Sequence, residues 1–248
     1  LHKAIRRQRQ MCIRDRSIAI NNNMKNQSNS IRYQNQNSHT SGNNGGFVVT
    51  DIVKKPIIYI YPIEKMDVEV KLGNPQYLSC TYPKYKNGWS VTADVDGTLV
   101  DKNTGKNLYA LYWEGKEVPK NINLKEGFCV KGKDTATFLE EKLSLLGLSD
   151  KEAEEFIIYW LPKMEENNYN YIRFETKEEQ DKSMPLEITP KPDNLIRVMM
   201  DWKGLDEKIE VQEQNLETPI REGYTVVEWG GTETVSYTHL RAHETKAN

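Results

Sequence analysis

The sequence predicts an α+β fold. It expects a β-rich N-terminal half of hairpins or a small sandwich, two central helices, and antiparallel C-terminal strands within one domain spanning residues 47–233. Three observations predict it. From 55 to 118, short β-branched and aromatic runs alternate with Asn-Gly and Asp-Gly turn signals about every eight or nine residues. From 134 to 165 the apolar period lengthens to that of a helix, and capping residues appear. From 169 to 230 the strand-like pattern returns, and strands, helices, strands is the α+β order rather than the alternation of a parallel α/β sheet.

The elements follow in chain order. Lys55-Pro-Ile-Ile-Tyr-Ile-Tyr-Pro62 is a strand bounded by prolines, and Asp67-Val-Glu-Val-Lys-Leu72 alternates as a half-buried strand does. Asn87-Gly88, Asp96-Gly97 and Asn103-Thr-Gly105 then punctuate four short strands at 77–82, 89–93, 98–100 and 108–113. Asp134 is placed to cap a helix with Phe138, Leu139, Leu143 and Leu146 on one side, stopped by Gly147. Ser149-Asp-Lys-Glu152 has the form of a capping box for a second helix. Its Ala153, Phe156, Ile157, Trp160, Leu161 and Met164 form a buried face, and Pro162 should end or kink it. Strands are expected at 169–175, 186–189, 195–202 and 224–229, with the charge run 175–182 as a solvated loop.

The two extremities, 1–16 and 234–248, read as translated sequencing adaptor. Back-translated, Met11–Arg16 gives a DNA string whose reverse complement encodes Val235–His239 in frame. That string resembles the mosaic end of transposase-based library preparation, and Arg6–Gln10 and Leu240–Thr245 match the arms joined to it. Such segments are set aside before fold reasoning. The whole chain has 34 basic and 36 acidic residues; eight basic and two acidic ones lie in the extremities, so the interior has 26 and 34 and a net charge of −8 instead of −2. A basic nucleic-acid footprint is therefore not expected. His2, His239 and His243 fall away with the ends, and His39 lies in a polar run, so residues 47–233 contain no histidine. Ser-His-Asp, Cys-His and His-based zinc chemistry need that residue type. No cofactor is expected.

Residues 17–46 are an Asn-, Gln-, Ser- and Gly-rich run with little to bury, which reads as a flexible tether. Tethers of this kind commonly separate an anchor or signal from a surface domain, which makes an extracellular or cell-surface setting the expectation. No apolar run reaches the length of a membrane span. Of the cysteines outside the ends, Cys80 and Cys129 either pair as one disulfide or remain thiols, and Cys80 is expected in the core.

Lys55–Pro62, Leu78–Pro83 through Leu111-Tyr-Trp-Glu-Gly115, Tyr159-Trp-Leu-Pro162 and Tyr224-Thr-Val-Val-Glu-Trp-Gly-Gly231 together resemble an uncharacterised family of Clostridia and related Firmicutes. The resemblance runs from Lys55 to Thr232. It implies no activity, because none is assigned to that family. It does imply an exported protein with a signal or lipoprotein start ahead of a linker. It also implies a plain hydrophobic residue where Cys129 stands, which argues against the disulfide.

Two constellations suggest chemistry. Glu114 and Glu228 each adjoin a tryptophan, Trp113 or Trp229, at a strand end followed by glycine. Paired carboxylates about 5–9.5 Å apart with aromatic platforms are what glycoside hydrolysis uses, and tryptophan faces also hold sugars without reaction. The structural alternative is that both indoles pack in the core. Asp94-Val-Asp96-Gly-Thr-Leu99 resembles the first motif of haloacid-dehalogenase-type phosphatases, and Asp94, Asp96 and Asp101 are also weak calcium candidates. The plainer alternative is a hairpin turn, for which Asp-Gly supplies the positive φ. The expectation for the whole is a non-catalytic exported or surface domain that binds a glycan or other cell-envelope component. Its alternatives are a hydrolase using Glu114 and Glu228 and a phosphatase-like site.

Overall fold

The computed structural model describes residues 47–122 and 125–234. The readings placed on the extremities, the tether and His39 lie outside them.

The described residues form an α+β domain in three layers. The strands are β1 (Phe47–Tyr61), β2 (Met66–Leu72), β3 (Leu78–Tyr82), β4 (Trp89–Ala93), β5 (Leu99–Asp101), β6 (Asn107–Leu108), β7 (Leu111–Ile122), β8 (Glu126–Lys131), β9 (Tyr169–Phe174), β10 (Leu186–Thr189), β11 (Asn194–Leu205), β12 (Gln212–Glu213) and β13 (Thr225–Glu233). The helices are α1 (Thr135–Leu145), α2 (Asp150–Met164) and α3 (Lys177–Ser183). One sheet has eight strands in the order β12-β8-β9-β11-β13-β1-β7-β3, and the other has five in the order β10-β2-β4-β5-β6.

Strand alternation sends the side chains of the large sheet into two cores. On one face Ile57, Tyr59, Val198, Met200, Trp202, Val227 and Trp229 meet Leu139 and Leu143 of α1 and Phe156, Trp160 and Met164 of α2. On the other, Ile58, Ile60, Leu111, Trp113 and Val226 meet Val68, Val70, Trp89, Val91 and Leu99 of the small sheet. The helices thus cover one side of the large sheet and the small sheet covers the other.

Local chemistry explains the helix ends. Glu152 N–H faces the Ser149 hydroxyl and Ser149 N–H donates to the Glu152 carboxylate at 2.8 Å, closing the predicted capping box. Helix α1 ends in a Schellman motif, with Leu148 N–H on Leu143 C=O and Gly147 at φ +86°. The Asp134 side chain makes no capping bond; a 3-10 turn over Gly132–Asp134 leads into α1 instead. Pro162 does not stop α2, which runs on to Met164.

Three expectations are corrected. β11 and β13 pair parallel, Asn194 opposite Thr225, because the chain between them crosses over and re-enters the sheet from the same end. The run 175–182 is not a loop: α3 starts in a second capping box, Thr176 with Glu179. Cys80 is exposed, because β3 is an edge strand of the large sheet, and Cys129 is half-buried; both are free thiols. Strands β8 and β12 had no expected counterpart. Among the described residues, no helix is long and apolar enough to cross a membrane.

Candidate functional site

Glu228 and Trp113 lie between the two sheets. Trp113 Nε1 donates to Glu228 Oε1 at 2.8 Å, and Arg197 Nε donates to Oε2 at 2.7 Å. Glu228 is 0% exposed and Trp113 1%. Arg197 in turn reaches Asp181 at 3.3 Å and the Met184 carbonyl at 2.9 Å. Both carboxylate oxygens are thereby committed, and Glu228 ties β13 to β7, to β11 and, through Arg197, to α3.

Trp229 and Glu114 lie on the opposite side. In the ladder of β7, β1 and β13, Leu111, Ile58 and Glu228 form one row, and Tyr112, Ile57 and Trp229 form the next. Rows alternate between faces, so Trp229 packs against Phe156, with ring centroids 5.3 Å apart, under the helices. Glu114 shares the helix-side face with Tyr112, whose phenol is held above its ordinary value by burial and then by the Glu114 carboxylate. The paired-carboxylate reading is corrected on this point. Glu114 follows one inward tryptophan and Glu228 precedes another, but the two indoles face opposite ways, so the large sheet separates the carboxylates. Both indoles are buried and offer no open sugar platform.

The aspartate motif closes a hairpin. Asp94 N–H donates to Thr98 C=O, Gly97 N–H to Asp94 C=O, and the Asp94 and Asp96 carboxylates accept from Val95 and Thr98 N–H at 2.8 Å. Gly97, at φ +85°, leaves room for the Tyr61 ring, which a Cβ would meet at 2.8 Å. These backbone hydrogen bonds hold the Asp96 carboxyl below its ordinary range. Asp101 does the same work in the next turn, accepting from Asn103 N–H and the Thr104 hydroxyl. The motif joins two antiparallel strands rather than ending a parallel one, which removes its phosphatase geometry. Among the described residues, no three Asp, Glu, Cys or His side chains are grouped to hold a metal ion.

What the fold does bring together is parts of all four motif stretches, on the helix side of the large sheet. Lys55 and Pro56 form a bulge in β1 where the register to both β7 and β13 slips. Pro has no N–H for the ladder, and Lys55 adopts φ +54°, the one non-glycine residue with positive φ among those described. Gly230 admits this bulge, since a Cβ there would stand 2.9 Å from Pro56 Cα; Gly231 likewise admits the Trp160 ring. The bent backbone carries the Lys55 ammonium to 4.9 Å from the Tyr159 ring centroid and 5.5 Å from that of Trp229. Lys163, one turn along α2, sits 3.5 Å from the Tyr159 centroid and 4.7 Å from Trp160. Lys54, Tyr112 and Glu114 complete the cluster, and Lys54, Lys55, Tyr112, Glu114 and Tyr159 are all half-buried.

The electrostatics follow from this packing. Loss of hydration against the rings lowers the Lys163 ammonium from its ordinary value, and Lys54 and Lys55 push it further down against the pull of Glu233 and Glu114. Burial raises the Tyr112 phenol, and hydrogen bonding to Glu114 adds to it. Tyr159 is raised by burial and by the same carboxylate. Elsewhere, a groove of about 690 Å³ beside β8, lined by Cys129, Phe138, Tyr169 and Ile209 among others, holds none of the predicted site residues.

Of the predicted ligand residues, Glu114 and Trp229 belong to the cluster, while Trp113 and Glu228 do not. Lys54, Lys55, Tyr112, Tyr159 and Lys163 were not among the predicted site residues, although all five stand inside or beside the motif stretches. No family model matches the chain, and no curated protein or solved structure is significantly similar to it.

Proposed function

We propose that this chain is a non-catalytic recognition domain of the cell surface. Its ligand, a component of the cell envelope with glycan as the leading class, contacts the helix-side cluster of Lys55, Tyr112, Glu114, Tyr159 and Lys163. The observation that carries the reading is Lys55. A lysine in the left-handed region costs about 1–2 kcal/mol relative to extended backbone, and such strain concentrates where a side chain must be aimed. Here it aims an ammonium at two aromatic faces. The recognition reading also draws support from Glu228, Asp94, Asp96 and Asp101, whose carboxylates are committed to structural hydrogen bonds or ion pairs. The surface setting rests on the Asn-rich run at 17–46.

The test is retention of the full chain on a glycan array and on purified bacterial cell wall, with an assay for released reducing ends alongside. Retention without release is expected. Release of reducing ends would replace recognition with hydrolysis, and a chain retained by neither material would remove the reading.

A further inference from the structure

We propose that Lys54, Lys55 and Lys163 form a seat for an oxyanion, a carboxylate or phosphate group of the recognised ligand. This rests on the recognition reading and adds the chemistry of what is bound. Two ammonium groups, of Lys55 and Lys163, converge on Tyr159, and Lys54 lies near enough to repel Lys163, in a chain whose interior carries an excess of acidic residues. Among the described residues, none of the three makes a salt bridge or donates a side-chain hydrogen bond. Lys65, Lys102 and Lys208, by contrast, each pair with a carboxylate.

Aromatic faces explain how unpaired cations are held together. A ring attracts an ammonium through its quadrupole but supplies no lone pair in the plane of a hydrogen bond, so the N–H donors remain available. Glu233 and Glu114 offset part of the repulsion felt at Lys163. An incoming oxyanion would relieve the repulsion among the lysines and take up their donors in charge-assisted hydrogen bonds. Partial loss of hydration at Lys163 makes that exchange more favourable than at a fully solvated lysine.

The experiment is an amide NMR titration of the full chain with inorganic phosphate, a galacturonic acid disaccharide and, as the neutral arm, cellobiose. Backbone signals of Lys55, Gly230, Gly231 and Lys163 report on the seat. The expected result is saturable shifts at these amides with at least one anion, with half-saturation on the order of 1 mM. Added NaCl should weaken them. Lys163→Gln, a change at an exposed side chain, should raise half-saturation about tenfold while the thermal midpoint stays put. Lys55→Gly, which keeps the positive φ, should do the same. The tighter anion identifies the group, phosphate or carboxylate. Diffuse, non-saturating shifts, or saturation indifferent to both substitutions, would overturn the seat. If cellobiose moves these amides and neither anion does, the oxyanion inference falls and recognition stands. If all three arms are silent and cell wall fails to retain the chain, both fall.

Discussion

Lys55 shows how much of this molecule turns on single side chains. Its φ of +54° is comfortable for glycine and strained for any residue with a Cβ. Lys55→Gly should therefore be more stable than Lys55→Ala by about 1 kcal/mol in urea unfolding, even though neither retains the ammonium. Equal stabilities would mean that the bulge carries no strain and would remove the argument that it aims the side chain. Glu228 is the opposite kind of residue. Fully buried between Trp113 Nε1 and Arg197, it cannot be removed without leaving a guanidinium, itself only 5% exposed, short of its closest partner. Glu228→Ala should cost about 3–5 kcal/mol by the same measurement. The tryptophan-glutamate pairs were visible in the sequence, but their facing was not. Facing depends on which strand lies between β7 and β13, and that neighbour, β1, is set by pairings between distant parts of the chain.

At the scale of elements, helix ends were the most legible features because their signals are local. Ser149-Asp-Lys-Glu152 and Gly147 act as their spacing predicts. Thr176-Lys-Glu-Glu179 has the same form, but the run after it is polar, so no apolar period marked a helix there. What holds α3 is a contact outside its own turn: Glu179 accepts two hydrogen bonds from Arg173 Nη2 at 2.7 Å, and that guanidinium, six residues earlier, is buried on β9. Thr176→Ala should lower stability by about 1 kcal/mol, read from the urea midpoint.

The start of α2 gives a pH dependence. Burial alone would raise Glu152, but the paired bonds from Arg221, the Ser149 N–H and the Tyr61 hydroxyl outweigh it and leave the carboxyl below its ordinary value of 4.5. A group lowered on folding contributes its full stabilisation above its unfolded value and loses it as pH falls through the folded one. Wild type should lose stability as pH drops below about 4.5, and Glu152→Gln should flatten that limb of the stability profile. An unchanged slope in the variant would show that Glu152 is not the group responsible.

The described residues form a large mixed sheet sandwiched between helices and a small sheet, and their class was legible because period and turn chemistry agree along the chain. The parallel pairing of β11 with β13 was not, since nothing in either strand records which end the connection returns to. The candidate site was half legible for a related reason. The motif stretches were found as strings, and the fold assembles Lys55, Tyr112, Glu114, Tyr159 and Trp229 from three strands and a helix. The basic character of that cluster was masked by an acidic average.

The proposed recognition runs through the helix-side lysines and not through the buried Glu228. The direct measurement is retention of the full chain on purified cell wall, comparing wild type with a Lys55→Gly, Lys163→Gln double variant of matched thermal stability. The prediction is that the double variant's retention falls by about tenfold or more. Retention equal to wild type would show that the lysines do not carry recognition.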